Sequence, residues 1–336
     1  MRVALALLTL ALAAGPVGAQ SKTGTSFGDF LLIEPSARIT GMGNAGVTLL
    51  DGLQGVYYNP ASIGEIDRWG VAFSHSEWLA GIDYNYVAAG FPLGKWGNGF
   101  FSLTALQSGD IAVRTVDHPE GTGELFHVTD LAAGLGYGLR VTDRFSAGLQ
   151  ISWVQETIWH TSASTAVINM GTAYRLSPDG LHIGASISNF GTDAKFSGRD
   201  LDVTFDQDPA RFGDNGALSA EQLTDNFPVP ILFRVGVGLP RKLGSDGQLN
   251  LALDAFHPSD NSESVSLGGE YTYRSTASLR AGYQNLFQKD SEVGLTVGLG
   301  LHGRRSGRGF EYGLDYAWAD HGRLDDTHRF TLALHF

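Results

Sequence analysis

The sequence predicts an all-β fold: a transmembrane antiparallel β-barrel of about 14 strands, with an amino-terminal plug resembling a hatch. Three observations lead there. First, most of the chain after residue 69 alternates with period two, which is the signature of strands. In 310–318, Phe310, Tyr312, Leu314, Tyr316 and Trp318 alternate with Glu311, Gly313, Asp315 and Ala317; in 293–301, Val293, Leu295, Val297, Leu299 and Leu301 alternate with Gly294, Thr296, Gly298 and Gly300. Second, the other face is Gly, Ser, Thr and a few charges. A soluble core needs bulky side chains packed to high density, whereas a polar lumen does not. Third, the connections alternate between short and long, and Trp69, Trp96, Trp153, Trp159, Tyr273 and Trp318 lie near segment ends, as an interfacial girdle requires.

Three regions follow in chain order. Residues 1–19 read as a signal peptide: a positive end at Arg2, an apolar run from Val3 to Ala14, and a small-residue cleavage site at Val17-Gly18-Ala19. That run is too short to span a bilayer. Residues 20–68 do not alternate and read as a plug. Residues 69–336 read as the barrel, whose interior at this size is too wide for its own side chains to fill and so has room for the plug. The expected strands are 69–76, 82–91, 98–107, 127–140, 144–158, 162–176, 180–190, 229–239, 247–257, 263–273, 277–287, 291–302, 308–319 and 327–336.

With an amino terminus starting in the periplasm, the inner turns are 92–97, 141–143, 177–179, 240–246, 274–276 and 303–307. The longest outer loops are 108–126 and 191–228. Basic residues such as Lys95, Arg140, Arg241, Lys242 and Arg274 gather at the inner side, and acidic ones such as Asp110, Asp117, Glu120, Asp260 and Asp325 at the outer. The last strand alternates through Phe330, Leu332, Leu334 and Phe336. It reads as a lipid-facing stripe and as an assembly signal for the barrel-assembly machinery.

Composition narrows the function. The formal net charge is −12, which is poor for nucleic-acid binding, and with no cysteine there is no disulfide or thiolate metal site. The ten histidines are scattered, without metal-ligand spacing. No Gly-x-Ser-x-Gly elbow occurs, and Gly134-Leu135-Gly136 lies within a strand instead of opening a helix. No catalytic residue, metal or cofactor is expected. The expected partner of the wall is outer-membrane lipid.

The candidate plug contains Ser36-Ala37-Arg38, Gly41-Met42-Gly43-Asn44-Ala45, Asp51 and Tyr57-Tyr58-Asn59-Pro60-Ala61. Further along lie Ser108-Gly109-Asp110-Ile111, Arg144-Phe145-Ser146-Ala147-Gly148 and Ser188-Asn189-Phe190-Gly191. These motifs resemble the PorV/PorQ family, which is related to the FadL-type transporters with their fourteen-stranded barrel and amino-terminal hatch. The resemblance implies an outer-membrane protein accessory to type IX protein secretion, receiving or shuttling secreted cargo proteins or meeting other secretion components. The alternative it implies is a FadL-like transporter for hydrophobic small molecules. Within the plug, Gly41, Gly43, Asn59, Pro60 and Ala61 are the motif positions. By alternation, Arg234, Asp254, Glu270, Arg280, Glu311 and Asp315 face the lumen as a mixed-charge network. The acidic loop 191–228 reads as a solvated external loop. Calcium binding there is a second reading, because oxygen-rich loops can ligate that ion. Its interspersed Phe196, Phe205, Phe212 and Phe227 read as a cap or a contact surface.

Overall fold

A computed structural model describes residues 24–336 apart from 51, 178–179, 209, 211–216, 290 and 305–308. The expected signal peptide, Asp51 of the plug motif, and Phe212 of the acidic loop therefore lie outside the described residues. Fourteen antiparallel strands close into a barrel. They are β1 (Gly70–Glu77), β2 (Asp83–Pro92), β3 (Asn98–Gln107), β4 (Val128–Arg140), β5 (Phe145–Ile158), β6 (Thr161–Arg175) and β7 (His182–Gly191). The second half is β8 (Leu232–Leu243), β9 (Gly247–Pro258), β10 (Ser264–Tyr273), β11 (Ala277–Leu286), β12 (Leu295–Arg304), β13 (Glu311–Ala319) and β14 (Thr327–His335). Each strand pairs with its chain neighbour, and closure comes from β1 against β14, with Gly70 opposite His335 and Glu77 opposite His328.

The alternation sorts side chains by solvent. Along β12, Leu295, Val297, Leu299 and Leu301 are exposed, while Thr296, Gly298 and Gly300 are buried. Outside the lumen the exposed surface is a belt of Leu, Ile, Val and aromatic residues, including Leu135, Ile151, Leu279 and Phe330. Trp69, Trp96 and Trp159 are also exposed, and all three lie at strand ends. A closed barrel, apolar outside and polar inside, satisfies every backbone group internally while facing lipid. This is a barrel of the bacterial outer membrane. A charge at mid-belt tests it. Leu299→Arg should cost about 2–4 kcal/mol in urea unfolding from lipid vesicles. Val116→Arg, at a loop position 99% exposed, should leave the midpoint unchanged.

Some strand limits differ from expectation. β8 continues to Leu243, so the expected inner turn 240–246 is shorter: Pro240, Arg241 and Lys242 stay paired with β9. Polar residues read as a turn, yet at the water-level end of a barrel strand they remain in the ladder. At the outer side β8 begins at Leu232, after Pro228 and Pro230, which have no N–H to contribute to the ladder. β12 starts at Leu295, not 291. Two strands carry register shifts, in β7 against β6 and in β11 against β10. Each has an asparagine in the left-handed region, Asn189 at φ 63° and Asn285 at φ 56°, a conformation asparagine tolerates.

The core lies inside the barrel. Residues 27–50 and 52–66 include short helical turns that pack against inward-facing wall positions, the longest of them Pro60–Glu65. Phe27, Ile39, Met42, Val47, Leu53, Val56, Tyr58 and Ile63 are almost fully buried. At the inner end the Glu65 carboxylate holds Arg140 at 2.7 Å and Arg175 at 3.0 Å, and accepts from Ser146 Oγ at 2.6 Å.

Candidate functional site

The motif residues of the amino-terminal segment are its attachment points to the wall. Ser36 caps the single turn Ala37–Thr40, accepting from Ile39 N at 3.4 Å, and its hydroxyl donates to Gln54 Oε1 at 2.8 Å. Arg38 on that turn reaches Glu270 on β10 with two hydrogen bonds, at 2.8 and 2.7 Å. Gly41 and Gly43 lie against the wall. Gly43 has φ 65°, and its N–H donates to Thr296 Oγ1 at 2.9 Å. A Cβ built on Gly43 would fall 2.7 Å from Leu267 O and 2.8 Å from Tyr283 N, so no side chain fits. The facing wall positions, Gly268 and Gly282, meet the backbone of Met42 and Gly43 in the same way.

The Asn59-Pro60-Ala61 element is the second attachment. The Asn59 amide donates to Val47 O at 2.9 Å and to Thr172 O of β6 at 3.0 Å, and its Oδ1 accepts from Ala61 N at 3.0 Å. Pro60 starts the turn Pro60–Glu65, where a missing N–H costs nothing. Gly148 and Gly171 of the wall lie directly under Pro60 and Asn59. The high glycine content thus serves close backbone approach between segment and barrel.

Five of the six expected lumen charges are buried to within a few per cent: Arg234, Asp254, Glu270, Arg280 and Asp315. They divide into groups. Toward the inner side, Glu270 bridges Arg38 and Arg280, the latter at 2.6 Å, and Arg280 also lies 2.8 Å from Asp315. Asp315 accepts from Gln54 Nε2 at 3.0 Å. Asp254 accepts from Val47 N at 2.8 Å. Toward the outer side, Arg234 lies 3.4 Å from Glu34, and its guanidinium sits over the rings of Tyr57 and Phe256, at 5.5 and 5.7 Å. Burial pushes the Glu34 carboxyl up, against the pull of Arg234 and Arg329. Glu311 shares the inward face of β13 but sits apart from these groups. It stands half-exposed at the inner rim, paired with Arg68 at 3.2 Å and Arg304 at 3.3 Å, outside the lumen network. Alternation assigns a face but not a depth.

Alternation applied to β14 would also have found Arg329, which is 3% exposed beside lipid-facing Phe330. Its NH1 donates to Thr40 Oγ1, and its guanidinium lies over the Trp78 ring at 5.7 Å. Phe330, Leu332 and Phe336 are exposed to the lipid side and Leu334 partly so. In the long outer loop, Phe196 and Phe227 turn inward onto Phe27 and the core, with Phe27–Phe196 ring centroids 6.3 Å apart, while Phe205 and Leu223 stay exposed. Among the described residues no three His, Asp or Glu side chains are grouped to hold a metal ion.

A cavity of about 520 Å³ lies between the segment and the wall at the outer mouth. Phe30, Leu32 and Ile33 form its floor, and Leu106, Leu232, Phe256 and Val293 its apolar sides. Gln284 and Asn285, at the β11 register shift, edge it. Two smaller cavities, of about 300 and 360 Å³, lie on the inner side, both touching Arg38. The segment thus separates an outer, mostly apolar space from inner ones of mixed polarity. This dimension suits a small-molecule site.

No protein-family model and no curated protein matches the chain. Among solved structures it is similar to the Pseudomonas putida toluene transporter TodX, at 13% identity and TM-score 0.57, covering 90% of this chain and 98% of that one. It is likewise similar to the Ralstonia pickettii toluene transporter TbuX, at 12% identity and TM-score 0.54, over 90% and 97% of the two chains. The CymD monoaromatic hydrocarbon channel matches at 14% identity and TM-score 0.54, over 90% and 97%. At such identities the likeness shows a shared fold.

Proposed function

We propose that the chain is an outer-membrane channel for small hydrophobic molecules, in which residues 20–68 act as a hatch that fills the lumen. The observation carrying this reading is the outer cavity. Its floor and sides are largely apolar, it lies where a molecule arriving from outside would be received, and the segment tied to the wall through Arg38, Gly43 and Asn59 closes it below. Solved barrels of the same fold are described as toluene transporters and a monoaromatic hydrocarbon channel, which supports transport over the secretion-accessory reading that the motif resemblance also allows. The stripe Phe330, Leu332, Leu334 and Phe336 fits presentation of the last strand during barrel assembly.

The test is uptake by intact cells whose lipopolysaccharide leaflet slows hydrophobic solutes. Producing the full chain should speed entry of a small aromatic hydrocarbon several-fold and leave entry of a sugar of similar size unchanged. Equal acceleration of both would indicate an open aqueous pore, and acceleration of neither would remove the transport reading.

A further inference from the structure

The outer cavity is not electrically neutral. On one side Asp130 of β4 and Glu156 of β5 stand directly opposite each other across the strand pair, and both line the cavity with Asp29 of the segment. Glu156 is anchored, its Oε1 accepting from Gly28 N at 2.7 Å. Asp130 is only 8% exposed, and no described group hydrogen-bonds its Oδ1. A buried carboxylate oxygen without a donor is costly unless something else supplies positive charge. Burial and the neighbouring Asp260 push the Asp29 carboxyl up as well. Three carboxyl groups thus share this part of the cavity lining, and Asp130 Oδ1 lacks a described donor.

Among the described residues, the one arginine lining the cavity lies elsewhere. Arg329, Ser76, Tyr84, Leu106 and Asp130 occupy a single row across β14, β1, β2, β3 and β4. Four strand spacings therefore separate the guanidinium's strand from that of Asp130, about 19 Å of arc. Arg329 is already engaged with Thr40 and Trp78. Leu106 stands directly opposite Asp130 across the strand pair, and Ile33 lines the same cavity.

Resting on the transport reading above, we infer that this cavity prefers hydrophobic molecules bearing a protonated amino group, the ammonium held by Asp130 and Glu156 and the apolar body lying against Ile33 and Leu106. The carboxylates share the cavity with apolar side chains, which suits a cation that brings its own apolar surface. A fatty-acid anion would meet the same carboxylates as repulsion.

The test compares octylammonium, octanol and octanoate at neutral pH, by calorimetric titration of the full barrel in nanodiscs of zwitterionic lipid, with empty discs as blank. Octylammonium should bind about tenfold tighter than octanol or better, and octanoate more weakly than octanol. The double variant Asp130→Asn, Glu156→Gln should bring octylammonium to parity with octanol while octanol binding stays unchanged, which also shows that the variant is folded. Equal binding of octylammonium and octanol by the native chain would overturn the inference and leave the transport reading standing. A preference that survives in the variant would overturn the assignment to these residues. Binding of none of the three would remove both readings.

Discussion

Glu270→Gln should loosen the amino-terminal segment from the barrel and lower stability by about 3–5 kcal/mol, the cost of removing one partner from a buried ion-pair group. Glu270 is 1% exposed and is the common anion of Arg38 on the segment and Arg280 on the wall. Asparagine 250 also donates to it, at 2.9 Å. Glutamine keeps the shape but supplies no charge, so the buried Arg280 guanidinium and the part-buried Arg38 lose the anion they share, while Asp315 stays 2.8 Å from Arg280. Urea unfolding from vesicles measures the stability. Planar-bilayer recording measures the segment: the native barrel should conduct little, and the variant should show frequent open events. An unchanged urea midpoint with unchanged conductance would mean that the bridge does not hold the segment.

Gly268→Ala should be as disruptive, by shape instead of charge, and Gly269→Ala, one residue along, should be tolerated. A Cβ at Gly268 would enter the Met42 backbone, whereas one at Gly269 would meet the Leu251 side chain at 3.3 Å, on the lipid side, and Asn250 O at an ordinary 3.9 Å. Gly43→Ala should resemble Gly268→Ala, because alanine there is both crowded and held at φ 65°. Left-handed backbone and overpacking together cost about 2–5 kcal/mol. The expected readout is loss of the folded, heat-modifiable band or a large fall in urea midpoint for Gly43 and Gly268, with Gly269 native. Equal tolerance at all three would show that the segment does not sit tightly against β10.

The barrel was legible because its physics repeats. Once Leu295, Val297, Leu299 and Leu301 are read as lipid-facing, Thr296, Gly298 and Gly300 must face in, and the same step places Arg234, Glu270, Arg280 and Asp315 in the lumen. That step gives no height along the barrel, which is why Glu311 shares a face with the network but stands at the rim. Arg329, Asp130 and Glu156 obey the same alternation. They were hidden by richer signals nearby: the apolar stripe of the last strand, and the glycine-rich run from Gly134 to Gly138. The path of the segment had no periodicity to reveal it. Glu34 and Asp29 carry no sequence signal of their position. The contacts of Met42 with Gly268 and of Gly43 with Gly282 are backbone fits that residue types alone announce only as unexplained glycine.

The reception of an apolar molecule above the hatch is tested most directly by an experimental structure of the full barrel determined with a small aromatic hydrocarbon at saturation. The ligand should lie in the outer cavity, against Phe30, Ile33, Leu106 and Phe256 and above the turn Ala37–Thr40. Ligand found only on the lipid-facing belt, with the outer cavity unfilled, would contradict a receiving site there and with it the proposed route.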